Sequence, residues 1–113
     1  RRQRQMCIRD SIKKIVTDLA FILEHTKGLT QDELEDNEIL IDSVMFRLIQ
    51  VSENSEKLTA EFKTYYKAIP WRAMKGMRNK IVHEYGNVDL AVVYDTIVND
   101  IPELIELLQE IVG

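Results

Sequence analysis

The sequence predicts an all-α protein, folded as an antiparallel bundle of four to five helices. Apolar residues make up 45% of the 113 residues and recur at helical spacing, which predicts amphipathic helices that bury one face. Only four Gly and two Pro interrupt the chain, too few for a turn-rich β fold. This length suits one domain with one hydrophobic core, and the apolar content excludes a disordered chain.

The first ten residues are set apart from the helical domain, which is expected over residues 11–113. The segment RRQRQMCIRD shows no apolar periodicity and resembles a translated sequencing adaptor, so residues 1–10 are interpreted as a non-native scar or a disordered tail. They hold four Arg, one Asp and Cys7, the only cysteine in the sequence. The remaining chain therefore carries 11 basic and 18 acidic residues, a net charge of −7 instead of −4, and has no disulfide or thiolate site.

The first helix is expected over residues 11–26. His25 would lie near its carboxyl end and cap it, and Gly28 would end it in a left-handed conformation. The predicted apolar face consists of Ile12, Ile15, Val16, Leu19, Ile22 and Leu23.

A second long helix is expected over residues 38–66, without a break. Before it, Thr30 and Glu33 have capping-box spacing and predict a short helical turn. Asn37 is expected to cap the long helix. Its predicted apolar face consists of Leu40, Ile41, Val44, Leu48, Val51, Ser55, Leu58 and Phe62.

Three further helices complete the predicted bundle. Pro70 followed by Trp71 is typical of a helix start, and the third long helix would run to about Tyr85, with Gly86 as its stop. Gly76 lies inside this helix and suggests close approach by another helix or a ligand.

The carboxyl-terminal region predicts two helices separated by a break. Asp89 is expected to cap a fourth helix over about 90–99. Asn99 or Asp100, together with Pro102, then predicts a break, and a last helix would finish near Val112.

The domain is acidic, which argues against a nucleic-acid partner, but its charge is unevenly distributed. More than half of its basic residues lie between Phe62 and His83, a stretch with no Asp or Glu. This basic stretch contains Lys63, Lys67, Arg72, Lys75, Arg78 and Lys80, interleaved with Tyr65, Tyr66 and Trp71. Its cations could contact phosphates and its rings could stack on bases. The alternative is a solvated basic face with aromatic core anchors.

The segment RNKIVHEY, which begins at Arg78, places three chemically useful groups on the third long helix. Helical geometry puts Asn79 and His83 within about 40° of each other, while Arg78 lies about 140° from His83 but is long enough to reach the same site. Ile81 and Val82 are expected to pack inward. An imidazole can move protons near neutral pH, a guanidinium can stabilise a developing phosphorane, and an amide can orient either group. The alternative is a helix-end or surface pair without chemistry.

The stretch IPWRAMKGMRNKIVHEYGNVDLAVVYDTI closely resembles the signature of HepT-like proteins, a family within the HEPN superfamily. The Trp near the helix start, the string R-N-x-x-V-H-x-Y and the following Val-Asp all match, and the upstream TKGLTQDEL segment fits as well. The resemblance covers residues 11–113. One departure is Ser52, which stands where relatives often carry a glycine. The neighbouring Glu53 is retained and either lines the site or makes a polar contact inside the bundle.

The resemblance implies a ribonuclease toxin of a type VII-like toxin–antitoxin system, with RNA as substrate and a small nucleotidyltransferase as antitoxin. By position, Arg78, Asn79 and His83 match the catalytic residues of the family. Tyr85 matches the tyrosine that the antitoxin adenylylates, which would add negative charge where RNA phosphate binds. The alternative for Tyr85 is an amphipathic residue that closes the helix. Substrate-binding residues are expected among the cations of the same helix: Arg72, Lys75 and Lys80.

No cofactor is expected, because no cluster of His, Asp or Glu has the spacing of a metal site. A single histidine that serves as base and acid suggests a homodimer with two His83 side chains facing one cleft, which the resemblance also implies. No apolar run approaches a bilayer span, so a cytoplasmic location is expected. The alternative function is a non-catalytic helical bundle that binds a nucleotide or a partner protein through the same basic face.

Overall fold

The computed structural model describes the backbone of residues 2–113 and the side chains of residues 8–113, so Cys7 lies outside the described side chains. A 3₁₀ turn spans Tyr85–Asn87, and a π-helical segment spans Thr96–Asp100. The α-helices of the described chain are α1 (Arg2–Thr26), α2 (Gln31–Glu35), α3 (Glu38–Glu56), α4 (Ala60–Tyr65), α5 (Trp71–His83), α6 (Leu90–Asp95) and α7 (Ile101–Val112). No strand occurs in this part of the chain, which confirms the all-α prediction.

The bundle is organised around α1 and α3. α1 packs against α3 and α7, and α3 also packs against α5. The predicted inward faces are confirmed, and the deeply buried apolar side chains include Ile12, Ile15, Leu19 and Ile22 in α1 and Val44, Met45 and Val51 in α3. Burial of this apolar surface is the main driving force for folding. It fixes α3 and α5, which carry the predicted site. None of the described helices is both long and apolar enough to cross a bilayer.

α1 begins at Arg2 instead of near residue 11, but it ends as predicted. Gly28 follows the helix with a φ of 77°, the left-handed conformation that glycine adopts without strain. His25 lies in the last turn, where its Nδ1–H donates to the Phe21 carbonyl at 2.9 Å. The interpretation of residues 1–10 as a non-native scar or a disordered tail stays a prediction.

The predicted caps of α2 and α3 are confirmed. Thr30 Oγ1 accepts from the Glu33 N–H at 3.2 Å, and Glu33 Oε1 accepts from the Thr30 N–H at 2.9 Å, which is a complete capping box. Asn37 Oδ1 accepts from the Leu40 N–H at 3.1 Å. These caps depend only on local chemistry, which explains why the sequence predicts them.

The prediction of one unbroken helix over residues 38–66 is wrong, because α3 ends at Glu56 and α4 begins at Ala60. Thr59 takes an extended backbone, with φ −72° and ψ 156°, and its side chain accepts from the Phe62 N–H at 3.1 Å. The hydroxyl thus starts a new helix instead of continuing the old one. The break keeps Leu58 buried in the core while it turns the chain toward α5.

The boundaries of the third predicted helix also differ. Pro70 is the N-cap of α5 and not its first helical residue, and α5 ends at His83 instead of Tyr85. Glu84 leaves helical geometry with φ −132° and ψ 35°. Gly86 is not in the left-handed conformation, so it is not the stop signal that the sequence suggested.

The last part of the chain is continuously helical from Leu90 to Val112, so the predicted break at Pro102 is wrong. Asp89 caps the start as predicted, accepting from the Ala91 N–H at 3.0 Å. The Ile101 N–H donates to the Thr96 carbonyl five residues back, which is π-type bonding. This wider turn accommodates the proline, which lacks an N–H, without ending the helix.

Asp18 is a buried carboxylate in α1 that no sequence signal indicated. It is 0% exposed, and its Oδ1 accepts from Arg47 Nη1 of α3 at 2.8 Å and lies 3.5 Å from Lys14 Nζ. Its Oδ2 has no hydrogen-bond partner among the described residues. The Arg47 guanidinium also lies 3.8 Å from the centroid of the Phe21 ring. This ion pair ties α1 to α3.

Candidate functional site

The start of α5 is anchored by Trp71. Its indole N–H donates to the carbonyl oxygens of Lys63 and Tyr66, each at 3.1 Å, and its ring centroid lies 6.4 Å from that of Phe62. The alternative interpretation of the basic stretch, that its aromatic residues are core anchors, therefore holds for Trp71 and Tyr66. Tyr65 differs, since it is 79% exposed.

A hydrogen-bonded chain joins three polar side chains of α3 and α5. Arg78 Nε–H donates to Glu53 Oε1 at 3.0 Å, and Arg78 Nη1–H donates to Asn79 Oδ1 at 3.1 Å. The side chains of Arg78 and Glu53 are 33% and 47% exposed, so a ligand can reach the pair from solvent. Because the Asn79 oxygen accepts from Arg78, the Asn79 amide N–H groups are left to donate elsewhere.

His83 is the last residue of α5 and its side chain is exposed. It lies four residues after Asn79, about 6 Å along the helix axis and on the same face. Arg78 bonds to Glu53 and Asn79 and not to His83. The structure therefore joins two of the three predicted catalytic residues and leaves the imidazole one turn beyond them. The catalytic roles of all three stay predictions.

Tyr85 follows α5 and contacts α3 through its hydroxyl. The hydroxyl donates to Asp42 Oδ1. This hydrogen bond, together with burial and the negative charge of Asp42, raises the pKa of Tyr85 from 10.0 to about 12. The residue is nevertheless 48% exposed. Tyr85 is thus an accessible neutral phenol whose proton already points at a carboxylate.

Two acidic residues at the end of α3 neutralise part of the basic stretch. Glu56 pairs with Lys63 at 3.4 Å and with Lys75 at 3.6 Å, and Glu53 pairs with Arg78. The exposed cations of the stretch that form no ion pair with a described residue are Lys67, Arg72 and Lys80. Of the predicted substrate-binding residues, Arg72 and Lys80 therefore extend into solvent, whereas Lys75 is held by an acid.

Exposed apolar side chains lie beside the polar groups. On α3, Ile39 and Phe46 lie one turn before and one turn after Asp42 and are 81% and 57% exposed. On α5, Val82 is 44% exposed, so the prediction that it packs inward is wrong. Ile81 takes the inward position, and the next residue is rotated by about 100°. We call Ile39, Phe46 and Val82 the apolar rim.

No sequence pattern singled out Asp42 or Glu56, and two alternatives were open for Glu53. Asp42 and Glu53 are eleven residues apart, which is about three helical turns, so they lie on one face of α3. This spacing is the sequence signal that could have placed both carboxylates on one face of the helix. Ser52 is 1% exposed and fits inside the bundle. No other described helix of the chain approaches Gly76, because a Cβ added there would meet no atom within 4 Å outside its own helix and its neighbours, and close approach by a ligand stays a prediction.

The predicted site is an open surface of α5. A cavity of about 440 Å³ lies between α5 and α7, with mainly apolar lining such as Met74, Met77 and Leu104, and Arg78, Asn79 and His83 do not line it. The described residues include no group of three or more His, Cys, Asp or Glu that could hold a metal ion. The groups available on this surface are a guanidinium, an amide, an imidazole and the carboxylate of Glu53.

Comparison with known proteins identifies relatives of the chain. The sequence model of the family described as "Ribonuclease HepT-like" matches residues 15–111. A Thermococcus cleftensis protein named as a probable ribonuclease HepT is 31% identical over 98 residues, which cover 83% of this chain and 89% of that protein. A Caldanaerobacter subterraneus protein named as a candidate RNase is 29% identical over 103 residues, covering 91% of this chain and 92% of that protein.

One relative is much longer than this chain. A Methanocaldococcus jannaschii protein, named as a gamma-glutamylcyclotransferase and candidate RNase, is 32% identical over 95 residues. The match covers 84% of this chain but only 43% of that protein. No solved structure matches the chain.

Proposed function

Because the chain belongs to the HepT-like ribonuclease family, we propose that it cleaves RNA without a metal ion, through Arg78, Asn79 and His83. The observation that carries this proposal is the hydrogen bond from Arg78 to Asn79, next to an exposed imidazole on the same helix face. A permanent cation, an amide donor and a titratable ring are sufficient for transesterification of a ribose phosphate.

In the proposed reaction, a neutral His83 takes the proton of the 2′-hydroxyl. The 2′-oxygen attacks the adjacent phosphorus, a P–O2′ bond forms and the P–O5′ bond breaks. Arg78 stabilises the charge that grows on the non-bridging oxygens. Asn79 donates from its amide to the same phosphate. A protonated imidazole returns a proton to the leaving 5′-oxygen, so the products are a cyclic 2′,3′-phosphate and a free 5′-hydroxyl.

We propose a homodimer as the active form. The attacking 2′-oxygen and the leaving 5′-oxygen lie on opposite sides of the phosphorus, so one histidine cannot contact both at once, and a two-fold axis beside His83 would supply the second imidazole. The apolar rim supports this arrangement, because exposed Ile39, Phe46 and Val82 beside a polar site are typical of an interaction surface. Light scattering of the purified chain is expected to give twice the monomer mass.

We further propose that the protein acts as a toxin in the cytoplasm and that a nucleotidyltransferase antitoxin inactivates it by adenylylating Tyr85. The accessible hydroxyl and its bond to Asp42 support this role. Asp42 can accept the phenol proton when the tyrosine oxygen attacks the α-phosphorus of ATP and pyrophosphate leaves. The added phosphate would repel RNA from the neighbouring Arg78–His83 face.

The test is cleavage of transfer and messenger RNA by wild type, Arg78→Ala and His83→Ala, with and without EDTA. We expect wild-type cleavage to persist in EDTA and both variants to lose at least about 100-fold in rate while keeping wild-type thermal unfolding. Undiminished cleavage in both variants, or cleavage that requires a divalent ion, contradicts the mechanism. Salt-sensitive RNA binding without turnover by the wild type would favour the non-catalytic binding module instead.

A further inference from the structure

We propose that Glu53 is the positioning residue for Arg78, and that its hydrogen bond and its charge act in opposite directions on RNA cleavage. The hydrogen bond orients the guanidinium and so raises kcat, while the negative charge weakens RNA binding. This inference rests on the proposed function, because it gives Glu53 a role in the chemistry of Arg78.

The geometry of the guanidinium allows Glu53 to orient Arg78 and leave it open to a phosphate. Arginine holds five N–H donors in one rigid plane. Glu53 accepts from Nε–H and Asn79 accepts from one Nη1–H, which leaves one Nη1–H and both Nη2–H groups for a ligand among the described contacts. The two Nη atoms form the far end of the fork, and each keeps at least one N–H group that can donate to a phosphate. Glu53 therefore fixes the plane of the Arg78 guanidinium without occupying the place where a phosphate would bind.

The side chains of Arg78 and Glu53 are both partly exposed to solvent. The Arg78 side chain is 33% exposed, so without a fixed partner it would sample many rotamers. Misplacement of a catalytic group by about 1 Å can reduce the rate by 10²-fold. The Glu53 side chain is 47% exposed and its carboxylate lies 3.0 Å from Arg78 Nε, so its charge acts on any phosphate that Arg78 binds. Solvent screens this repulsion but does not abolish it.

Glu56 provides a matched control on the same helix. It lies three residues after Glu53, and it pairs with Lys63 and Lys75 instead of Arg78. Glu56→Gln and Glu53→Gln remove the same charge from neighbouring turns of α3. Only the change at residue 53 alters the side chain that accepts the hydrogen bond from Arg78.

The experiment compares Glu53→Gln, Glu53→Ala and Glu56→Gln in cleavage of a fluorophore–quencher RNA oligonucleotide. Dissociation constants are measured separately by anisotropy with the same sequence made of 2′-O-methyl nucleotides, which cannot be cleaved. Glutamine keeps an oxygen that accepts from Nε–H, whereas alanine does not. We expect all three variants to bind about threefold more tightly, because each removes a negative charge. We expect kcat to fall about tenfold in Glu53→Ala and to stay within about twofold of wild type in both glutamine variants.

Three results of this experiment would overturn the proposal. Equal kcat values in Glu53→Ala and Glu53→Gln would mean that the hydrogen bond does not orient Arg78 for catalysis. An increase of kcat in Glu53→Ala would mean that Glu53 restrains the site instead of arranging it. A purely structural role predicts a third pattern, in which both Glu53 variants lose thermal stability and active fraction together, and it would also refute the assignment.

A measurement on the free protein separates this proposal from the proposed function. The Nε–H signal of Arg78, assigned by its loss in Arg78→Lys, is expected to be protected from solvent exchange in wild type and Glu53→Gln and unprotected in Glu53→Ala. Equal protection in all three would overturn the positioning role. If wild-type RNA cleavage does not depend on His83, the proposed function fails, and this signal still decides whether Glu53 holds the guanidinium.

Discussion

Replacing Arg47 by methionine is expected to destabilise the fold by about 3 kcal/mol, because it leaves a buried carboxylate without its main partner. Asp18 is completely buried, and Arg47 Nη1 lies 2.8 Å from its Oδ1. Breaking a buried ion pair from one side typically costs 3–5 kcal/mol. Methionine keeps the length and apolar character of the arginine stem, so the loss reports the charge and its hydrogen bond.

Two further contacts of the Asp18–Arg47 pair change the expected loss of stability. Lys14 Nζ lies 3.5 Å from the same carboxylate oxygen and its side chain is 50% exposed, so it can move closer and compensate in part. Loss of the contact between the Arg47 guanidinium and the Phe21 ring, now 3.8 Å, adds about 0.5–1 kcal/mol. Lys14→Met is the matched control. It is expected to cost at most about 1 kcal/mol, since exposed pairs contribute little.

The free energy of unfolding of both variants is measured by urea denaturation. A shift of the transition midpoint is interpreted as a change in stability when the m-value stays constant. Adding Asp18→Asn to Arg47→Met is expected to recover more than about 1 kcal/mol, because asparagine removes the unpaired charge while keeping the shape. Equal losses in Arg47→Met and Lys14→Met, or no recovery in the double variant, would refute the reasoning. Either result would mean that solvent reaches Asp18 and that it needs no partner in α3.

The site offers two further predictions. Asp42→Asn is expected to lower the pKa of Tyr85 from about 12 toward its ordinary value of 10.0, because the charged acceptor is removed. In wild type, the hydrogen bond between Tyr85 and Asp42 therefore contributes its full stabilisation of the fold below about pH 10. This contribution is lost as the pH rises through about 12. An absorbance titration of tyrosinate, with Tyr85→Phe subtracted, tests this, and a wild-type value near 10 would contradict it. Gly76→Ala is expected to raise the free energy of unfolding by up to about 1 kcal/mol in thermal melts, since the added methyl meets open space in a helix. Destabilisation would instead indicate that a second copy packs on this glycine.

The parts of the fold that the sequence predicts correctly are those decided by neighbouring residues. The caps at Thr30, Asn37 and Asp89 each use a side chain and an N–H within three residues, so their pattern is visible in the sequence. The interruption before Thr59 is also capped locally, at the Phe62 N–H, but the apolar periodicity continues across it. The helix continues through Pro102 by a π-type turn, which the sequence pattern does not indicate. Apolar periodicity that continues across a short capped break predicts one unbroken helix. A proline in the sequence predicts a helix end.

The same division applies to the candidate site. The motif on α5 supplies Arg78, Asn79 and His83 by local spacing, which is why the sequence indicates them. The partners of Arg78 and Tyr85 come from α3, more than twenty residues earlier, and only the packing of α3 against α5 selects which acids meet which donors. Asp42 and Glu53 could be placed on one face of α3 from their spacing, but not assigned to Tyr85 and Arg78.

The geometry of α3 makes that helix a rigid support for the whole functional segment. Asp42 and Glu53 lie about 16 Å apart along its axis, and each accepts one hydrogen bond from the segment that holds the predicted catalytic and modified residues. A shift of α3 relative to α5 would therefore displace Arg78 and Tyr85 together. The buried pair of Asp18 and Arg47 fixes α3 against α1, so a variant that weakens this pair should lose RNA cleavage before it loses helical structure.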